Sequence, residues 1–174
     1  MDYEFTLKFK LPDRESDSDA VIEKLGEAGC DDALVGIGVP GRIALSFTRK
    51  AKSAKKAVLS ALKDVKKAIP GAELVEVGPD FVGVTDVAEL TGVTRQSVRK
   101  LLVVHSKDFP PAIHDGSASI WHLAAVLKWI KDRGTRKIEP ALIEVAEIAM
   151  HINVTKQSKL LSPRLNKELE ALVV

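Results

Sequence analysis

The chain opens with an alternation of apolar and polar residues that predicts a half-buried β-strand over residues 3–10. The apolar members are Phe5, Leu7 and Phe9. A second alternation covers residues 33–47 and is interrupted by Pro40 and Gly41. Pro at the second and Gly at the third position favour a type II turn. The pattern therefore predicts an antiparallel hairpin.

Two helical patterns complete this part of the chain. The first begins after a cap-like acidic stretch at residues 16–19 and ends at Gly29. The second covers residues 53–69, where apolar residues hold helical spacing and lysines fill the outer face. Pro70-Gly71 ends this helix, because proline cannot continue it. A short strand is predicted at residues 72–77.

The resulting order over residues 1–78 is β-α-β-β-α-β, which predicts a ferredoxin-like sandwich with two helices on one face of a four-stranded antiparallel sheet. The other face of that sheet is expected to meet a partner, a ligand or a second domain. Gly36 and Gly38 lie in the second strand. Glycine weakens a strand, so we expect a bulge or close packing there, with a ligand contact as the less favoured alternative.

Residues 84–130 show a different pattern, which predicts two short helices joined by a tight turn, then a small hairpin and a further helix. Thr85 is the expected N-cap of the first helix, and Gly92 has the residue type of a left-handed C-cap. Thr94 is expected to cap the second helix. This layout predicts a winged helix-turn-helix.

The second of these helices divides into an apolar and a cationic face. The inward residues are Val98, Leu101 and Leu102, and the outward residues are Arg95, Gln96, Arg99 and Lys100. Arg and Gln carry forked polar groups that match guanine and adenine edges in the major groove. Thr94 at the helix N-terminus is suited to bind a phosphate group of the DNA backbone.

Residues 82–133 resemble the excisionase and AlpA-like branch of the MerR-type winged helix-turn-helix proteins. The resemblance is carried by the run VxDVAELxGVTRQSVRKL, by the residues 109–112 that enter the hairpin, and by Trp121 and Trp129 at the spacing W-x-x-x-x-V-x-x-W. It implies that the helix 94–104 reads the major groove and that the wing contacts the DNA backbone or minor groove.

The predicted DNA-binding residues are Thr94, Arg95, Gln96, Ser97, Arg99, Lys100, Lys107, His114 and Ser117. The wing departs from the family pattern, because the segment 115–119 has no Arg before the strand that leads to the Trp. Trp121 and Trp129 are expected in the core, since Val126, Trp129 and Ile130 form a helical stripe.

The formal net charge is only +2, which is low for a nucleic-acid-binding protein. Residues 81–137, however, hold nine basic and five acidic residues, a net charge of +4. A surplus of this size predicts few phosphate contacts per chain. We therefore expect a homodimer that binds paired half-sites on double-stranded DNA.

The C-terminal part, residues 138–174, is expected to form two helices. Pro140 suits the first helical position, an apolar stripe follows, and the stretch 153–158 is polar. Ser162-Pro163 begins a last helix with leucines on one side. Such short helices are unstable alone, so we expect them to dock on the dimer partner or on the N-terminal sheet.

Composition fits an α+β protein in which an N-terminal ferredoxin-like sandwich (1–78) is followed by a winged helix-turn-helix (82–134) and a helical tail (138–174). Apolar residues make up 45% of the 174 residues. Cys30 is the single cysteine, so no intrachain disulfide is possible. No signal peptide and no membrane span are predicted, which favours a cytoplasmic protein without membrane contact.

Catalysis is not predicted. The histidines lack a metal-binding spacing, and no phosphate loop, nucleophile elbow or paired-carboxylate motif occurs. Cys30 is followed by Asp31 and Asp32, whose negative charges disfavour a thiolate. We expect no enzyme activity, no cofactor and no metal.

Two alternatives to a DNA-binding regulator stay open. In the first, the chain is an antitoxin-like or adaptor protein whose N-terminal domain or tail binds a partner protein, and DNA binding serves operator autoregulation. In the second, a small molecule binds to the ferredoxin-like module and changes the spacing of the two DNA-binding domains of the dimer. The exposed apolar tail motivates the first alternative, whereas analogy between folds alone motivates the second.

Overall fold

The computed structural model describes residues 1–12 and 18–173. The elements of its N-terminal part are β1 (Asp2–Lys10), α1 (Ser18–Glu27), β2 (Ala33–Gly36), β3 (Arg42–Lys50), α2 (Ala54–Ala68) and β4 (Glu73–Gly78). The sheet order is β2-β3-β1-β4 with antiparallel neighbours. This arrangement fits the ferredoxin-like element order. Of the expected cap at 16–19, residues 16 and 17 lie outside the described residues.

The alternation in β1 separates a buried from a solvent-facing side of the sheet. Tyr3, Phe5, Leu7 and Phe9 are buried, whereas the residues between them are exposed or half-buried. Phe5 stacks on Phe47 of β3 with ring centroids 5.1 Å apart. The helices α1 and α2 cover this buried side, so the first hydrophobic core lies between helices and sheet.

The helix α2 begins and ends as its sequence predicts. The Ser53 hydroxyl accepts a hydrogen bond from the Lys56 backbone N–H at 3.3 Å, which satisfies one of the free N–H groups at the helix N-terminus. Val58 and Val65 are fully buried on its inner side. Pro70 follows the C-cap Ile69, and the helix stops there.

The predicted turn at Pro40-Gly41 is confirmed, but β2 is shorter than expected. The Arg42 N–H donates to the Val39 carbonyl at 3.0 Å, and Gly41 has φ 74. The strand β2 ends at Gly36 instead of reaching Val39. The chain leaves the sheet because it bends into the turn, whose Gly41 carbonyl accepts the Leu11 N–H at 2.8 Å.

The bulge expected at Gly36 and Gly38 is absent from the described pairing of β2 with β3, where Gly36 lies in regular register with Ala44. A Cβ on Gly36 would lie 3.7 Å from the Ala44 carbonyl oxygen, an ordinary contact, and one on Gly38 would meet nothing within 4 Å. The register shift instead lies between β1 and β4, next to Lys8.

Arg49 of β3 binds two other segments of the N-terminal core, the connection between α1 and β2 and the helix α2. Its guanidinium donates to both carboxylate oxygens of Asp32 at 2.7 and 2.9 Å, to Asp64 at 2.6 Å, to the Ser60 hydroxyl at 3.0 Å and to the Gly29 carbonyl at 2.8 Å. These hydrogen bonds to carboxylates raise the pKa of Arg49. The guanidinium therefore stays charged although the residue is buried.

The next part contains β5 (Phe81–Val82), α3 (Val84–Thr91), α4 (Arg95–Val104), β6 (His114–Asp115), β7 (Ser119–His122) and α5 (Leu123–Asp132). Its three strands form a second antiparallel sheet in the order β5-β7-β6. The strand β5 was not predicted, because two residues are too few to show an alternating pattern.

The open face of the first sheet looks onto α3. A cleft of about 510 Å³ is lined by Thr6, Ser46 and Thr48 of the sheet and by Glu89 and Leu90 of α3, among others. Leu90 is exposed although it is apolar. The side chain borders the cleft because the buried positions of α3 are Val87, Ala88 and Thr91.

The C-terminal part consists of α6 (Pro140–Ser158) and α7 (Pro163–Val173). Pro140 is the first residue of α6, as predicted. The helix α6 packs on α2, β1, β4 and α5, so it docks on the N-terminal sandwich, one of the two expected alternatives. The helix α6 continues through the polar stretch 153–158, and Asn153 within that stretch is buried.

The described residues therefore form a mixed fold of helices and two antiparallel sheets. Two hydrophobic clusters fill it, one under the first sheet and one between α3, α4, β7 and α5. None of the described helices combines the length and the apolar character that crossing a bilayer requires.

Candidate nucleic-acid interface

The helix pair α3 and α4 is shaped by the residues at its turn. Gly92 has φ 65 and ψ 36, which is the left-handed conformation predicted for it. The N–H of Val93 donates to the Ala88 carbonyl at 2.9 Å. Thr94 then caps α4, and its hydroxyl accepts from the Ser97 N–H at 3.1 Å. The turn therefore fixes where α4 begins.

The predicted N-cap of α3 is wrong by two residues. The cap is Gly83 rather than Thr85, which is exposed within the first turn. The Asp86 carboxylate accepts the Gly83 N–H at 2.7 Å, and the Val87 N–H donates to the Gly83 carbonyl at 3.0 Å. These two bonds start the helix earlier, because Asp86 satisfies the backbone of Gly83.

Helix α4 is held by its apolar side and presents a cationic one. Val98 is buried in the second hydrophobic cluster, and the half-buried Leu102 packs against that cluster. Leu101 is half-buried as well. The exposed residues of its first two turns are Arg95, Gln96, Ser97, Arg99 and Lys100. The structure therefore brings these predicted site residues together on one helix.

The cations of α4 are not neutralised by ion pairs. Among the described residues, no carboxylate oxygen lies within 4.0 Å of Arg95, Arg99 or Lys100. By contrast, Arg133 pairs with Asp108 at 2.7 Å and lies over the Trp129 ring at 4.8 Å. Helix α4 therefore carries three unpaired cations, although Lys107, Lys128 and Lys131 of this unit form no ion pair among the described residues either.

Ser97 differs from its neighbours on α4, because its hydroxyl lies 2.9 Å from the Thr94 hydroxyl oxygen. Both side chains are exposed. One hydroxyl donates to the other, so the pair has a free acceptor and a donor near the start of the helix. Thr94 thus has a structural role as the cap besides its predicted contact to phosphate.

The remaining predicted site residues lie outside α4. Lys107 follows the helix, His114 is in β6, and Ser117 is in the connection between β6 and β7; all three are exposed. The Ser119 hydroxyl donates to the Asp115 carboxylate at 2.6 Å. This carboxylate adds negative charge to the hairpin, and negative charge disfavours a phosphate contact there.

Of the two tryptophans, Trp121 is confirmed as core, whereas Trp129 is half-buried and packs against the second cluster. Trp121 is buried, and its indole N–H donates to the Pro110 carbonyl at 3.0 Å. Phe109 packs edge-on against Trp121 and Trp129, with centroid distances of 5.9 and 4.9 Å. The segment before the hairpin, which contains Phe109 and Pro110, therefore packs against β7 and α5.

Arg136 follows α5 in the chain and contacts the turn between α3 and α4. Its guanidinium donates to the Gly92 carbonyl at 3.0 Å. The segment after α5 is therefore folded back beside the N-terminal end of α4. The cationic pair Arg136-Lys137 is visible in the sequence, but the sequence alone does not reveal what Arg136 contacts.

The buried Asn153 and Asp80 and the half-buried His122 form a chain of polar contacts that the sequence did not reveal. The Asn153 amide accepts the Val77 N–H at 2.9 Å and donates to the Val77 carbonyl and the Asp80 carboxylate, both at 2.8 Å. The other Asp80 oxygen lies 2.7 Å from His122 Nδ1. This chain links the edge of the first sheet, α6 and the strand before α5.

The described residues contain no group of three or more His, Cys, Asp or Glu side chains that is suited to a metal ion. Cys30 is buried, and burial, followed by the charge of Asp64, raises the pKa of its thiol to about 11. Its neighbours Asp31 and Asp32, which the sequence singled out, are the smaller causes. The thiol is a poor nucleophile near neutral pH.

Comparisons with known proteins add little to this picture. No family model matches the chain, and no curated protein matches it. Among solved structures, the chain is similar to the ligand-free regulatory subunit of aspartate kinase from Thermus thermophilus, with 20% identity, 76% of this chain and 91% of that chain covered, and a TM-score of 0.29. A TM-score this low carries no argument about function.

Proposed function

We propose that this chain binds double-stranded DNA at specific sequences and acts as a small dimeric regulator of transcription, with α4 in the major groove. The exposed face of α4 carries the proposal, because it combines unpaired guanidinium groups with an amide side chain. Arg95, Gln96 and Arg99 are the predicted base readers. Their helix is fixed by the Thr94 cap and by the buried Val98.

The surrounding elements support a winged helix-turn-helix. In this proposal α3 crosses the DNA backbone, α4 enters the groove, and the hairpin β6-β7 lies beside it as the wing. Lys100 and Arg136 are suited to contact phosphate groups of the DNA in this proposal. Arg136 is held beside the turn between α3 and α4. The hairpin itself has no Arg and carries Asp115, so its contribution to affinity is small in this proposal.

The experiment is selection of bound sequences from a random DNA pool by the full chain, compared with a variant in which Arg95, Gln96 and Arg99 are all replaced by Ala. Each base-reading side chain contributes on the order of 1–3 kcal/mol to discrimination. We therefore expect an enriched motif with the natural chain and loss of that motif with the variant.

A matched control is the variant Lys56→Ala, Lys67→Ala and Gln157→Ala, which also removes two exposed cations and one exposed glutamine. It should enrich the same motif as the natural chain. A paired motif would give the half-site spacing of the dimer directly. A pool without enrichment at moderate salt would contradict the proposal and favour the adaptor role.

A further inference from the structure

Helix α4 carries an exposed apolar residue among its polar ones. Val103 is 77% exposed, and it belongs neither to the two hydrophobic clusters nor to the half-buried residues that pack against them. Valine is also a poorer helix former than alanine, because its branched side chain loses rotamer freedom in a helix. The packing of the chain therefore does not account for a valine at position 103.

The position of Val103 on α4 makes this exposure informative, since a single exposed valine is ordinary on a protein surface. Val103 follows Gln96 by seven residues and Arg99 by four, and residues at these spacings share one side of a helix. It follows the buried Val98 by five residues, which places it about 140° away around the helix. Val103 is thus an apolar group within the face that carries the proposed base readers.

The major groove of DNA offers one apolar group to such a side chain. The bases present hydrogen-bonding groups there, and among the four bases only thymine adds a C5-methyl group. Arg and Gln contact base edges through hydrogen bonds, whereas the valine side chain has no donor or acceptor. The isopropyl group of valine and the methyl group of thymine both gain free energy when they leave water together.

Val103 also lies too far along α4 to share a base pair with Gln96. At about 1.5 Å per residue, it is roughly 10 Å beyond Gln96 and roughly 6 Å beyond Arg99 along the helix axis. Successive base pairs are about 3.4 Å apart. When α4 lies along the groove, Val103 is therefore about two base pairs beyond the base that Arg99 reads.

We propose that Val103 recognises a thymine of each half-site through the C5-methyl group of that base. The inference rests on the proposed function and adds a specificity-determining residue to it. It requires an A·T pair at one position of the half-site, and the recognised feature is a methyl group instead of a hydrogen-bonding pattern. This contact can therefore be removed from either side without changing a hydrogen bond.

The test starts from the DNA motif that the natural chain enriches. Each thymine of a half-site is replaced in turn by deoxyuridine, which lacks the C5-methyl group and keeps the hydrogen-bonding groups of thymine. Fluorescence anisotropy at constant salt measures the Kd of the full chain for each duplex. At one position we expect deoxyuridine to raise the Kd about fourfold, the effect of one methyl group that is no longer buried.

The variant Val103→Ala should lose this dependence. Its Kd should be nearly equal for the thymine and the deoxyuridine duplex, because the methyl group has lost its contact. In random-pool selection it should enrich the same motif without a preference at that one position. The matched control Val154→Ala removes the same atoms from an exposed valine of α6 and should keep the fourfold difference. Circular dichroism of both variants shows whether the fold is kept.

Two results would overturn this inference while the proposed function stands. One is an enriched motif in which no deoxyuridine weakens binding, and the other is a deoxyuridine effect that persists unchanged in Val103→Ala. A natural chain that enriches no motif would instead overturn the proposed function, and the recognition of thymine with it. Failure of the two proposals is therefore distinguishable.

Discussion

At the residue scale, Asn153 shows how one polar side chain completes a sheet edge. β4 is an edge strand, so its outward backbone groups lack a neighbouring strand. The Asn153 amide binds both the N–H and the carbonyl of Val77, as a paired strand would. It also donates to Asp80, which is 1% exposed. A buried carboxylate of this kind needs such donors.

We predict that Asn153→Ala lowers the free energy of unfolding by about 3 kcal/mol, because several buried polar groups lose their partner at once. Urea unfolding followed by circular dichroism measures this change. Gln157→Ala, an exposed substitution in the same helix, is the control and should change stability by less than about 0.5 kcal/mol. Equal effects of the two substitutions would contradict the role assigned to Asn153.

At the element scale, the angle between α3 and α4 depends on a residue that carries no side chain. Gly92 adopts the left-handed conformation between the two helices, and only glycine does so without a steric cost. Space is not the constraint, because a Cβ there would lie 3.7 Å from an Arg136 nitrogen, an ordinary contact. The backbone conformation alone makes the position sensitive.

Gly92→Ala is accordingly expected to reduce the free energy of unfolding by about 1–2 kcal/mol. Gly38→Ala is the matched control, since that glycine has no positive φ and open space around its Cα. The control should be neutral or slightly stabilising, because alanine restricts the unfolded chain. Thermal and urea unfolding of both variants check this, and an equal loss in both would refute the explanation.

On the scale of the whole molecule, α6 joins the two hydrophobic clusters. Val145 and Ala149 are buried in the cluster under the first sheet, and Ala146 is buried in the cluster around α5. The Glu144 carboxylate accepts from the Tyr3 hydroxyl at 3.0 Å and from the Ala54 N–H at 3.1 Å. The tail is therefore part of the core as far as Asn153 in α6.

A chain that ends at Gly134 should consequently lose cooperative unfolding, because both clusters lose buried side chains. A chain that ends at Ser158 lacks only α7 and the connection to it. At concentrations where the full chain is monomeric, it should unfold at nearly the same urea concentration as the full chain. Cooperative unfolding of the chain ending at Gly134 would show that α6 is dispensable.

The sequence by itself determined those features that depend on neighbouring residues. The alternation in β1, the helical spacing in α2, the turn at Pro40-Gly41 and the caps Gly92 and Thr94 are all local, and each was predicted correctly. Local sterics and hydrogen bonds specify such features because their partners lie within a few residues. The exposed cations of α4 follow from the same helical periodicity.

Only the tertiary structure decided the features whose partners are distant in the chain. Asn153 follows Val145 and Ala149 at helical spacing, a polar residue on an apolar stripe, but its partner Val77 is 76 positions away. The early end of β2, the strand β5 and the contact of Arg136 with Gly92 likewise depend on other segments. Periodicity within a segment carries no information about which distant backbone groups it will satisfy.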